Sequence, residues 1–261
     1  MISFRRIQGI FFRHLYANIR GVHGLSDLFY WPLVDILLWG LTAIWMKTQN
    51  DYPLLPLILM TGLIFWQIIW RGAIDFSVSL LQEFWTRNLS NLFSTPLKIS
   101  EWSLGIILLS TIKLLITISF GSLLVLILYK LNVFTVGIYF LPFAALLILF
   151  GWTVGFLASG LIIYWGHQVE SLAWMIPFIF APFSAVFYPV DVLPLWAQSV
   201  AWCLPTTYIF EGMRSILSSQ LFPISFFSIS MLLSIMYLSL SYLFFVYMFK
   251  KSINKGLSRL E

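Results

Sequence analysis

Apolar residues in this chain gather in long, nearly uninterrupted runs, unlike the short alternating or 3.6-spaced groups of a water-soluble fold. Runs near 27–47, 54–79, 101–129, 137–164, 170–190 and 224–249 each match the ~20 residues that a helix needs to cross a bilayer, one of them less regularly than the rest. Pro53 and Pro56 open the second run and Pro223 opens the sixth, where a missing N–H costs nothing. A different pattern precedes them. At about 100° per residue, Phe4, Ile7, Phe11, Leu15, Ile19 and Val22 share one face, and Arg5, Arg6, Arg13 and Arg20 share the opposite one. That separation predicts an amphipathic helix over 3–20 lying in the membrane interface. The same arginines interrupt any apolar stretch that a signal peptide would need. Gly21 and Gly24 are read as ending this helix, and Ser26-Asp27 as the N-cap of the next. The stretch 191–217, with Asp191, Pro194, Pro205, Glu211 and Arg214, is too broken to cross. It predicts two short helices on the outer membrane face, with Pro194 and Pro205 near their starts.

Composition narrows the class. Of 261 residues, 60% are hydrophobic and 10% are charged, where a soluble domain carries roughly 25% charged residues. An ordinary cytosolic enzyme, a disordered tail and a nucleic-acid module are excluded. Cys203 is the single cysteine, so no intrachain disulfide forms and no thiolate metal site exists. The placement of charge says more than its sum. Arg5, Arg6, Arg13, Arg20, Arg87, Lys98, Lys250, Lys251, Lys255 and Arg259 fall on one side of the expected spans, against Lys47, Lys130 and Arg214 on the other. By the positive-inside rule both termini are cytoplasmic and the number of spans is even. The expectation is an all-α integral membrane protein of one domain with six transmembrane helices.

Several chemistries are absent. The Lys47-Thr48 and Lys251-Ser252 pairs follow Met46 and Lys250, with no Gly-rich turn to surround phosphates. His14, His23 and His167 fall outside the spans, which leaves Ser159 without a base for intramembrane hydrolysis, and no His–carboxylate spacing fits a metal. Gly151, Gly155 and Ser159 recur at four-residue intervals, as small residues do where helices approach closely, and packing within one protomer is the favoured reading. Four charges lie inside expected spans: Asp35, Arg71, Asp75 and Lys113. A charge at such depth costs on the order of 2.5–3.5 kcal/mol, so a partner is expected. Asp35 and Arg71 fall at matching depths of neighbouring spans. Arg71 is therefore expected to bridge to Asp35, with Asp75 at i+4 as a second acceptor.

Two segments are more specific. Residues 82–102, QEFWTRNLSNLFSTPLKISEW, place Glu83 ahead of an amphipathic turn ending Thr95-Pro96-Leu97. Residues 184–217 carry, in order, Phe187, Tyr188, Pro189, Leu193, Pro194, Trp196, Pro205 and Arg214. With the N-terminal helix and six spans, these segments resemble the type-2 ATP-binding-cassette (ABC) permease family over essentially the whole chain. Two features depart from its pattern: Ala185 stands where the family commonly has glycine, and 87–92 lacks the usual Gly-Thr and acidic pair.

The resemblance implies a prokaryotic inner-membrane permease subunit that pairs with a second copy of itself and docks on two copies of a cytoplasmic ATPase subunit. ATP and magnesium are then expected on that partner, with no cofactor and no catalysis in this chain. It implies outward export of an amphipathic cargo, a lipid-linked glycan or a drug, by alternating access. On this view Glu83, Arg87, Thr95, Pro96 and Leu97 form the ATPase-coupling segment within 82–97, and the 187–214 residues form an external gate. An ion-coupled carrier is the alternative, although such carriers show repeats and paired acids that this chain lacks. A membrane scaffold is the other, because it requires no site.

Overall fold

The computed structural model describes residues 2–49, 52–219 and 222–256, and these are helical with no strand among them. Helix α1 spans Phe4–Arg20. After one helical turn at Val22–Leu25 the chain enters α2, Ser26–Gln49. Then follow α3, Leu55–Trp85; a short α4, Leu89–Ser94; and α5, Ile99–Tyr129. A 3-10 stretch at Val133–Tyr139 leads into α6, Phe140–Trp165. Helix α7 spans Leu172–Phe183, α8 Leu195–Ala201, α9 Pro205–Ser219 and α10 Ile224–Asn254.

Five helices are long and apolar enough to cross a membrane: α2, α3, α5, the Val133–Val169 stretch that contains α6, and α10. The run at 170–190 behaves differently. It yields only the twelve-residue α7, roughly 18 Å at about 1.5 Å per residue. Pro177 and Pro182 remove ladder donors, and Ala185 then adopts a left-handed φ of 54°. An apolar run counts residues that suit lipid, whereas a helix also needs its N–H groups.

Helix α3 is the axis of the bundle, 89% buried over its most apolar window, where α10 is 22% buried. Close approach to α6 explains this. A Cβ on Gly72 would sit 3.0 Å from the Cα of Gly151, and one on Gly155 would meet the Phe76 Cβ at 2.9 Å. The glycines at 151 and 155 thus pack α6 on α3 inside one protomer, and Ser159 is buried along the same stripe.

Contacts between helix ends define two poles. At one, Ser3 N donates to Glu101 Oε1 at 2.7 Å, and Trp85 Nε1 donates to Glu170 at 3.1 Å. Phe93 packs on Phe249 at 4.7 Å, and Ser252 donates to the Ile163 carbonyl at 2.7 Å. Helix α1, α4 and the end of α10 therefore share this pole, while residues 184–204 occupy the other. Of the basic residues counted for orientation, Arg259 lies outside the described residues.

Two details depart from the local reading. Ser26 and Asp27 do not cap α2: Leu25 before them is already helical, and 26–30 form a π-helical turn continuous with the rest. Such an extra-residue bulge is frequent at functional sites. The arginine face of α1 also turns partly inward. Arg6 pairs with Glu101 at 3.0 Å and donates to the Pro96 carbonyl, while Arg13 pairs with Glu83 at 2.6 Å. Ile7, Ile10 and His14 are buried, with Ile10 seated where Gly105 of α5 has no side chain.

Candidate functional site

A cavity of about 560 Å³ opens between α2, α3, α5 and α7, within the range of small-molecule sites. Its wall follows α3 from Trp66 to Gln82, roughly 24 Å of helix at about 1.5 Å per residue. Trp31, Trp66, Trp70, Trp174 and Phe178 form its aromatic surface, with Trp70 and Phe178 rings 4.7 Å apart.

Charged residues cluster at its inner half. Arg71 donates through Nη1 to Asp27 Oδ2 and through Nη2 to the Asp27 carbonyl at 2.7 Å. Lys113, from α5, donates to Asp75 and lies 3.7 Å from Asp27. Asp75 is also 3.7 Å from Arg71. Two cations and two carboxylates thus neutralise one another where water is scarce, as intramembrane charges must.

The predicted Arg71–Asp35 bridge is corrected. Asp35 accepts instead from Gln67 Nε2 at 2.8 Å. Arg71 stands one turn below Gln67, and its long side chain runs on toward the polar pole, where the π-turn presents Asp27. Equal backbone depth did not decide the partner, because an arginine carries its charge several ångströms from its Cα. Asp75 does serve as the second acceptor, and it shares its position with Lys113.

The proposed coupling residues separate into two sets. Glu83 is buried, at 1% exposure, and holds Arg13 and the Asn88 side chain. It is an internal anchor that ties α1 to the turn into α4. Arg87, Thr95 and Pro96 are exposed, and Leu97 is half-buried. Arg87 takes a left-handed φ of 50° at the turn into α4. His14 of α1 sits 3.3 Å from Gln82 Oε1 and 3.4 Å from Glu83. Burial, with Arg13 and Lys113 nearby, lowers its pKa to about 4 although the Gln82 contact opposes this. It is neutral at pH 7.

At the other pole the 184–214 residues form one knot. Arg214 donates to the Ala185 carbonyl, to the Tyr188 carbonyl at 2.8 Å and to Glu211 at 3.2 Å, and Glu211 accepts from Val190 N at 2.8 Å. Phe187 stacks on Trp39 of α2 at 4.0 Å, and the Tyr188 hydroxyl donates to the Pro182 carbonyl at 2.6 Å. Pro189 precedes a 3-10 turn, Leu193 packs on Ala185, Val190 and Ala201, and Pro194 caps α8. Trp196 is exposed, whereas Pro205 is buried at the start of α9.

The profile of the ABC-2 type transporter family matches residues 7–218, from α1 through the knot. The chain belongs to the ABC-2 type transporter family. It is a multi-pass membrane protein whose family works as the membrane part of an ABC transporter beside an ATPase partner. No curated protein matches the sequence. Within this ABC-2 chain the sequence reading missed Asp27, Gln67 and the cavity tryptophans as site residues. Asp27 was hidden by its resemblance to an N-cap. Gln67 is uncharged, and the indoles are indistinguishable in sequence from interfacial anchors.

Proposed function

We propose that this chain is the permease subunit of an ABC exporter, working as a dimer on two copies of a cytoplasmic ATPase subunit. The chain itself has no catalytic role, and ATP and magnesium act on the partner. Six crossings place both termini in the cytoplasm of a prokaryotic cell, with α1 along the inner interface and 184–217 as the outer gate. The sixth crossing is α7 together with the irregular segment after it. That reading is supported by the Glu170–Trp85 contact at one pole and by the Val186 carbonyl, 2.8 Å from where a Cβ on Gly62 would lie, near the other.

One observation carries the mechanism. Gln82 lines the cavity, and the next residue, Glu83, grips both α1 and the turn into α4. A partner pushing on the exposed Arg87–Pro96 surface moves the cavity wall through a single helical step. A rigid link of that kind converts ATP-driven closure into alternating access. The cargo is amphipathic, in keeping with a cavity that is aromatic at one end and ionic at the other.

The test is co-purification with a candidate ATPase subunit and measurement of its ATP hydrolysis. Arg87→Glu should keep the chain inserted and folded but lose the partner or its cargo-stimulated turnover. Glu83→Gln should keep docking but uncouple hydrolysis from transport. Normal export in Arg87→Glu together with Pro96→Ala would remove the 86–97 surface as the contact.

A further inference from the structure

We propose that the cavity takes a cargo whose buried end is an organic cation, with Asp35 as its counter-charge and the indoles of Trp31, Trp66 and Trp70 as its stacking surface. The inference rests on the transport reading above and names the cargo class for the same cavity.

Charge accounting leads to it. Among the described lining residues, three carboxylates, Asp27, Asp35 and Asp75, face two cations, Arg71 and Lys113. Both cations are committed, Arg71 to Asp27 and Lys113 to Asp75. The third carboxylate, Asp35, accepts a hydrogen bond from the neutral amide of Gln67. A lone carboxylate in the apolar half of a membrane cavity is costly without a positive partner. The described residues supply none at that level, so the wall carries one negative charge in excess.

The surroundings select the kind of cation. Trp31 lies one helical turn before Asp35 on α2, and Trp66 and Trp70 flank Gln67 on α3, all lining the cavity. Indole faces attract cations and are the best aromatic surface for them, with the attraction rising as water is excluded. A metal ion fits poorly: among the described residues no three His, Cys, Asp or Glu side chains come together closely enough to hold one, and a small ion would lose its hydration against indole. A diffuse cation, such as a quaternary ammonium or a protonated amine on an aromatic body, loses little. An anionic headgroup is disfavoured for a separate reason. Arg71 and Lys113 would have to release Asp27 and Asp75, stranding the buried Asp75 and the half-buried Asp27.

The test uses three rigid probes of similar shape: tetraphenylphosphonium, tetraphenylborate and neutral triphenylphosphine oxide. Each is titrated separately by calorimetry into the full chain in nanodiscs, with empty nanodiscs as the blank. The cation should bind saturably and at least about tenfold more tightly than either other probe. Asp35→Asn should weaken it by about tenfold or more, and Asp35→Glu should retain most of the affinity. Equal affinity for all three probes, a preference for the borate, or unchanged cation binding in Asp35→Asn would each overturn the assignment. Should Asp35→Asn fail to insert, the three-probe comparison on the unmutated chain decides alone. ATP hydrolysis by the complex reports separately on transport. A coupled complex that ignores the cation removes the cargo assignment and leaves the permease reading intact. A chain that binds the cation but no ATPase subunit does the reverse.

Discussion

Arg71 and Arg214 are two arginines withdrawn from water, with side chains 1% and 12% exposed, and they do different work. Arg71 sits among side-chain charges: Asp27, Asp75 and Lys113 surround it at the wall of a cavity. Arg214 sits mostly among backbone carbonyls, those of Ala185, Val186 and Tyr188, with Glu211 beside it. A guanidinium facing carbonyls satisfies an irregular backbone that has no ladder of its own. One facing carboxylates can exchange partners when a helix shifts. The same residue type therefore makes a rigid pole and an adjustable one. At the adjustable pole, ionisable groups also tie α1 to α3, through Arg13, His14 and Glu83.

The comparison breaks most visibly at Arg71. Arg71→Gln takes from Asp27 its direct partner, with Lys113 still 3.7 Å away, and should cost about 3 kcal/mol, read as lost folded protein in detergent or a lowered unfolding midpoint. Asp27→Asn in the same chain should recover part of that loss, whereas Asp35→Asn combined with Arg71→Gln should be additive. Strong coupling of Arg71 to Asp35 instead would restore the pairing that depth alone suggests.

Arg214→Ala should cost less, about 2–3 kcal/mol, and should raise protease cutting near 185–190 without changing charge at the cavity. Arg214→Lys should recover little, because an ammonium cannot fork between several carbonyls.

Acid should divide the two poles. His14 has a folded pKa of about 4, below its ordinary 6.5, so the unfolded chain binds the extra proton first. Its contribution is intact above about pH 6.5 and is lost as pH falls toward 4, about 2 kcal/mol at pH 5. Labelling of a cysteine placed on α1 in a Cys203→Ser background should rise over that interval, and His14→Gln should flatten the rise. The 184–214 knot should stay unlabelled throughout.

Ala185→Gly should have the smallest effect and the opposite sign. At φ 54° an alanine is strained, and glycine there should stabilise the knot by about 1 kcal/mol. An unchanged melting midpoint would mean that the strain is relieved elsewhere. The departure from the family pattern at this position thus has a conformational meaning that residue identity alone only hinted at.

Much of the architecture was legible because it is local. Run length decides whether a helix can cross, and the starts of α3, α9 and α10 follow Pro56, Pro205 and Pro223 within a residue or two. The Arg214 motif was legible because its partners lie within 30 residues along the chain. The run at 170–190 was misjudged as one full helix because hydropathy does not record where prolines and Ala185 break the ladder. The sequence placed Glu83 in the coupling segment, but only the fold of α1 back over α3 shows that it is buried there against Arg13. Asp27 and Arg71 are 44 positions apart, and Lys113 and Asp75 are 38 apart. Which acid meets which base there depends on helix register, a π-helical turn and the reach of a side chain. Those quantities exist only once the helices are packed, so tertiary structure alone determined that, among the described residues, Asp35 is the cavity carboxylate that meets an amide and not a cation.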